Sequence, residues 1–326
     1  MQRHRRPRLL DHWGLPTPYP DELSISVVGR YLKRWEHFDH KRMVGLGLGL
    51  GRRVAGLTSF PLRVTEAGSI YPFNTPSGLV ARRAIWDLTL APYYLAFQHA
   101  SNVESTLRSL EARAMCTSLT WLAMPDRPAF LRFCTRCFKE EASTHGEPYW
   151  HRSHQLPFST TCMDHGCPLS DSNVEYSGRR WHQSRPPERE TCPEESRPTR
   201  IAGFNPQLLA YLQGESLRAL HRGSLTYNFI PKQGFRKLLQ NMGYRSGQNL
   251  RAEVLEEHFR IWLKQNGATL EELGRKEWWL ALFTSAGRQP TPIQVILFRR
   301  FLRDVWSKNL AQMGLDFGHG YVENTN

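Results

Sequence analysis

The residues with the clearest chemical capacity lie between Phe133 and Leu169, in the stretch FCTRCFKEEASTHGEPYWHRSHQLPFSTTCMDHGCPL. It opens with Cys134-Thr-Arg-Cys137 and closes with Cys162-Met-Asp-His165, with 24 residues between the two knuckles. Short spacers of this kind let a tight turn aim two ligands at one ion. Three thiolates and one imidazole are the ligand set and number of a closed tetrahedral zinc site. Four protein ligands leave no open position for water or substrate, so the expected role is structural. His165 is the favoured fourth ligand, and Cys167 is the alternative. His151 and His154 lie between the knuckles and are expected to pack the small core and donate hydrogen bonds around the ligands. Asp164, Glu140 and Glu141 are read as solvated surface groups.

Elements on both sides must position these knuckles. Residues 1–20 form a basic, proline-punctuated arm expected to be flexible, followed by a helical N-terminal region over 21–128. The metal module spans 129–170, a linker rich in Arg, Pro, Glu and Ser spans 171–200, and a helical region covers 201–326. The first helix is expected near Pro20, Asp21 and Glu22, with Leu23, Val27 and Tyr31 as a buried i+4 stripe. A second helix within 75–95 is ended or kinked by Pro92, and a third covers 103–122. Gly45-Leu-Gly-Leu-Gly-Leu-Gly51 matches neither the dinucleotide nor the P-loop pattern and reads as a loop or a poor helix. Beyond residue 204, helices are expected over 206–220, 234–243 and 250–264, the last two separated by a turn at Tyr244–Asn249. A further pair covers 277–285 and 291–309, with Thr291 as N-cap and Pro292 at the first helical position. Such pairs are compatible with helix-turn-helix units. The fold class expected is mainly α, with a central zinc-ribbon or zinc-finger module between two helical regions.

Composition narrows the function. Among 326 residues, 43 Lys and Arg face 30 Asp and Glu, a net charge of +13. Such an excess points to a polyanionic partner, most simply double-stranded DNA. Residues 232–308 hold 14 basic and 7 acidic side chains, and Arg236, Lys237, Arg245, Arg251, Arg299, Arg300 and Arg303 are the DNA-contact candidates. Six cysteines are too few for a disulfide scaffold and suit a reducing cytoplasm. No stretch is long and apolar enough to span a membrane. No acidic pair with catalytic metal spacing stands out, so an enzyme is not expected.

The composite Phe133-Cys-Thr-Arg-Cys137, Gly146-Glu-Pro-Tyr-Trp-His-Arg-Ser-His-Gln-Leu-Pro157 and Cys162-Met-Asp-His-Gly166 resembles the TniQ/TnsD family of transposition target-selection proteins. The family pattern has a C-P-x-C knuckle, a G-x-x-[YF]-W-[HQ]-R-x-[HW]-x-L-P block and a C-P-x-H-G knuckle, in that order. Thr135 and Met163 replace its prolines, and neither is a ligand. Pro18-Tyr-Pro-Asp-Glu-Leu-Ser-Ile-Ser26 and the segment Trp278 to Leu302 resemble further family blocks. Leu88 to Phe97 is closer to the TnsD branch. The resemblance spans about residues 15–305, and it implies a short or truncated member. It implies a bacterial, non-enzymatic adaptor that binds an attachment site and recruits an AAA+ ATPase regulator of TnsC type. The alternative it implies is a TniQ-type adaptor that links a CRISPR RNA-guided effector to the transposition machinery. By that resemblance the N-terminal arm would meet the ATPase, with Arg5, Arg6, Arg8 and Trp13 as its candidate contacts.

Overall fold

The computed structural model describes residues 16–34, 86–98, 100–111, 128–176, 185–201, 203–222, 232–247, 249–270, 273, 278–282 and 290–312. The expectations for Arg5, Arg6, Arg8, Trp13 and the glycine-leucine run at 45–51 lie outside these residues. The chain divides into two compact units, one formed by Met1–Ala202 with Gln213–Tyr227, the other by Gly203–Leu212 with Asn228–Asn326.

In the first unit, helix α1 (Ser24–Lys33) is buried along almost its whole length, from Ser24 to Leu32. The stripe Leu23, Val27 and Tyr31 is at most 3% exposed. The helix begins later than its acidic residues suggest. Asp21 adopts φ 55 and Glu22 makes an isolated bridge to His151, so both carboxylates precede the helix and serve other partners. Gly29 is required by packing, because a Cβ there would lie 2.9 Å from the backbone of Arg185 and Pro186.

Pro92 has a different role from the one expected. It lies in the first turn of α2 (Ala91–Leu95), where a missing N–H costs nothing, and Ala91 N donates to Thr89 Oγ1 at 3.0 Å. Residues 86–88 are helical just before it, and the break falls at Thr89–Leu90. Helix α3 (Ala100–Glu111) buries Val103 and Leu107, four residues apart.

Strand β1 (Phe130–Phe133) pairs antiparallel with β2 (Ser170–Glu175), in a register that puts Phe133 opposite Ser170. Part of the stretch read as a linker is therefore a strand. Cys192, in the same stretch, is 4% exposed and joins a core with Leu23, Leu32, Leu131, Phe133, Trp150 and Tyr176. Helix α4 (Thr135–His145) follows β1 directly, and its chain leaves through Gly146 at φ 77, a left-handed cap suited to glycine. A short 3-10 turn at Ser153–Gln155 completes the module.

The boundary between the units falls inside α5 (Pro206–Arg222). In the second unit, α6 (Lys232–Asn241) ends in a Schellman arrangement. Tyr244 N donates to Leu239 O at 2.9 Å and Gly243 N donates to Gln240 O at 3.1 Å, with Gly243 at φ 76. Where a turn was expected over Tyr244–Asn249, the chain pairs β3 (Arg245–Ser246) against β4 (Asn249–Leu250) as a hairpin. Helix α7 (Ala252–Gln265) follows, and a 3-10 segment at Trp278–Leu282 precedes α8 (Pro292–Gln312). Phe259 of α7 is fully buried. It meets Phe298 and Phe301 of α8 and Trp278, with ring centroids 4.9–5.9 Å apart. Thr291 starts α8, but its hydroxyl is buried without a hydrogen bond. The cap comes from Gln294, whose Oε1 accepts from Thr291 N at 2.8 Å, one half of a capping box.

Candidate metal centre and its buried support

The sheet register assembles the cluster. Phe133 beside Ser170 brings the end of β1, which leads into Cys134, against the exit of the second knuckle. That knuckle closes on itself, with Gly166 N donating to Cys162 O at 2.9 Å and Cys162 N to Cys167 O at 2.8 Å. Gly166 takes φ 65, which the turn requires. Gln213 of α5 accepts from Thr160 N at 3.2 Å and donates to Thr161 O, so the approach to Cys162 is held as well.

Cys134, Cys137, Cys162 and His165 offer ligand atoms within 4.8 Å of one another. Bond lengths of about 2.3 Å to sulfur and 2.0–2.1 Å to nitrogen imply tetrahedral edges of roughly 3.8 Å for S···S and 3.5 Å for S···N. Here Cys137 and Cys162 sulfurs are 3.7 Å apart, and His165 Nδ1 lies 3.5, 3.3 and 3.6 Å from Cys134, Cys137 and Cys162. The set fits a metal ion. Cys167 Sγ is 3.3 Å from Cys134, and it stands outside the four-membered group. His165, in contact with all three sulfurs, fills the fourth vertex better.

The electrostatics point the same way. Hydrogen bonds from Cys134 and Cys137 hold the Cys162 thiol far down, at about 2, while the bond to Cys134 pushes Cys137 up. Burial opposes a charge on His165, but its bonds to Cys162 and Glu140 raise it to about 9. Three sulfurs and an imidazole thus compete for protons in one small space. A cation can take the protons' place there, releasing them on binding. Cys134 is also the N-cap of α4, with Cys137 N donating to its sulfur at 3.5 Å.

Groups behind the ligands were only partly visible in the sequence. Glu140 accepts from His165 Nε2 at 2.9 Å, the carboxylate–histidine arrangement that fixes a ligand's tautomer and orientation. Glu141, expected as a solvated group, is instead 8% exposed. Its carboxylate takes His151 Nε2 at 2.5 Å and Tyr149 N at 3.1 Å. The i+4 spacing of Cys137, Glu141 and His145 on one face of α4 was the available signal. These three, with Tyr149, His151 and Asp164, line a cleft of about 280 Å³ beside the knuckles.

His151 carries the network inward. Burial works against its charge, but Asp21 and Glu141 raise it to about 10. Its neighbour His154 is 3% exposed and is lowered to about 3, by burial first and then by the charge on His151. Asp21 is held well below the usual carboxylate range. Burial opposes this, but hydrogen bonding to His151 and the charge of Arg152 outweigh it. Arg152 Nε reaches Asp21 at 3.1 Å, and its Nη1 donates to the carbonyls of Trp86 and Thr89. Trp150 is fully buried between Ser26 Oγ, which accepts from its N–H, and Arg185 O, which accepts from Nε1 at 2.7 Å. Arg30, on α1, bonds Glu22 at 2.7 Å and Glu147 at 2.8 Å and sits 4.0 Å over the Tyr19 ring. The Y-W-H-R-S-H block therefore fastens the chain before α1, α1 itself and the 86–89 segment to the metal knuckles.

The basic candidates of the second unit divide. Arg300 pairs with Asp304, and Arg300 and Arg303 stack on the Tyr211 ring at 4.7 and 4.9 Å. Arg245 Nε turns back to Gly247 O at 2.8 Å, and Arg299 is half-buried with contacts of its own. Arg236, Lys237 and Arg251 are exposed. No helix among the described residues is long and apolar enough to cross a membrane.

Residues 15–169 match the family model described as TniQ, 155 of the 326 residues. The match encloses α1, both knuckles and the buried network between them, and it ends at Leu169. The match supports the TniQ family for this part of the chain, and a TniQ region fits a role in transposition as a target-selection or DNA-binding protein. No curated protein matches the chain.

Proposed function

We propose that this protein is a non-catalytic target-selection adaptor of a heteromeric transposition system, of the TnsD type. It binds double-stranded DNA at an attachment site and recruits an AAA+ ATPase regulator. One structural zinc ion, held by Cys134, Cys137, Cys162 and His165, braces the first unit. Cys167 stays outside the coordination sphere. The observation that carries this reading is the coincidence of the TniQ match over residues 15–169 with a four-ligand cluster built into the same network. The closed ligand set supports a bracing role, since a hydrolytic zinc needs a vacant position. The excess of basic side chains supports a nucleic-acid partner.

The test is an assembly experiment with a candidate AAA+ ATPase regulator. The expected result is a specific shift of attachment-site duplex by the purified chain, followed by ATPase retention on that DNA only when the chain is present. Retention that requires an RNA-guided effector and no attachment site would instead establish the CRISPR-linked adaptor. Cleavage of DNA by the purified chain would overturn the adaptor reading altogether.

A further inference from the structure

Residues 232–252 contain Lys232, Arg236, Lys237, Arg245 and Arg251 and no carboxylate. In a chain with 30 acidic residues, a run of basic and amide side chains without a single acid is a local electrostatic feature rather than a share of the average. The structure shows how it is displayed. On α6, Leu239 is fully buried, while Arg236, Lys237, Gln240 and Asn241 are exposed. At 100° per residue those four fall within one arc of about 140° that leaves out Leu239. Ser246, Gly247 and Asn249 of the hairpin and Arg251 just after it are exposed too. Among the described residues, no ion-pair partner meets Arg236, Lys237 or Arg251.

This surface is held rigid from behind. The Schellman end of α6 fixes Tyr244, which is 4% exposed and bonded through its hydroxyl to His258 Nδ1 of α7 at 2.7 Å. Arg251 N donates to Tyr244 O at 2.9 Å, so the backbone that carries Arg251 is anchored to the same residue. The hairpin joins its strands through a two-residue connection that begins with Gly247 at φ 57, the positive φ of tight primed turns. Arg245 closes onto Gly247 O and stiffens the tip. Cations presented on a braced hairpin and an adjoining helix face lose little freedom on binding a fixed array of charges. By contrast, Arg300 and Arg303 of α8 are already engaged with Tyr211.

We propose that the face formed by α6, the β3–β4 hairpin and the start of α7 grips the phosphate backbone of duplex DNA through Arg236, Lys237 and Arg251, while α8 serves the core. The inference rests on the DNA-binding reading above. Each phosphate contact contributes about 0.9 to the slope of log K against log salt, so removing three lowers the slope by about 2.7 and the affinity about 500-fold near 0.1 M salt.

The experiment measures binding of the full, zinc-loaded chain to a short duplex over a salt series. Three proteins are compared: the wild type, the Arg236→Gln, Lys237→Gln, Arg251→Gln variant, and a control. The control carries Arg189→Gln, Arg197→Gln and Arg200→Gln, three exposed residues of the first unit that remove the same charge. All six sites are on the surface, and melting curves verify that each protein is folded. The expected result is a flattened salt slope and a large loss for the first variant, with a much smaller change for the control. Equal losses in both, or none in the first, would overturn the proposal and leave the DNA-binding reading standing. A wild type that fails to bind duplex would overturn both.

Discussion

The proposed zinc ion makes metal removal the sharpest test of the first unit. The module between 129 and 176 has two short strands, one helix and a 3-10 turn, and its candidate ligands gather at the one end of the sheet where Phe133 meets Ser170. Structural zinc contributes apparent binding energies of about 10–16 kcal/mol in small modules, as large as the whole stability of an ordinary domain, about 5–15 kcal/mol. Chelation at neutral pH is therefore expected to unfold the knuckles and, through Glu141, His151 and Trp150, to loosen α1. The assay is thermal unfolding with and without chelator, together with metal content per chain and alkylation of thiols. The purified protein should contain one zinc per chain, with Cys134, Cys137 and Cys162 protected and Cys167 reactive. Cys162→Ser should abolish binding, His165→Ala should weaken it severely, and Cys167→Ala should leave it unchanged. An unaltered melting curve after complete chelation would refute the bracing role. Loss of zinc in Cys167→Ala with retention in His165→Ala would refute the ligand assignment.

Three further outcomes follow from packing and charge. Gly29→Ala, which in an open helix would stabilise by up to about 1 kcal/mol, should here destabilise by about 1–3 kcal/mol, because the new Cβ meets backbone at 2.9 Å; chemical denaturation gives the sign. His151 has a folded-state pKa of about 10 against 6.5 unfolded, so its stabilisation is complete below pH 6.5 and is lost as pH rises toward 10. Between pH 6 and 9 the zinc-loaded protein should lose about 3 kcal/mol, and His151→Gln should flatten that limb in urea titrations at the two pH values. Phe259→Ala should cost about 3–5 kcal/mol, read as a lowered melting transition with zinc content preserved, since Phe259 belongs to the second unit's core.

Much of the candidate site was legible because metal ligation depends on residue type and short spacing. Cys134-x-x-Cys137 and Cys162-x-x-His165 need only local turns to point two ligands one way, and a single chain carries that information. Helix positions were legible where apolar residues recur, as in α1, α3 and α7. Ends were less so. Asp21 and Glu22 looked like a helix start, but their carboxylates find stronger partners across the fold in Arg152, His151 and Arg30. Pro92 looked like a stop and turned out to lie in a first turn, since the same fixed φ suits both. The stretch after Leu169 looked like a linker because β2 is a polar strand, and its pairing with β1 depends on a partner about forty residues earlier in the chain.

The chain's own order of residues determined the ligand types, the basic excess, the knuckle spacing and the amphipathic stripes, because each of these follows from neighbours within a few positions. Only the tertiary structure groups His165 with the three cysteines and leaves Cys167 outside that group, since this depends on which atom reaches all three sulfurs once β1 and β2 are paired. It also decided that Glu141 is buried beneath His151 rather than solvated, and that Arg300 and Arg303 pack on Tyr211 while Arg236, Lys237 and Arg251 stay in solvent. The physical reason is the same in each case. Whether a polar side chain is a ligand, a brace or a free charge is set by desolvation and by partners distant in sequence, and both exist only after the chain has folded.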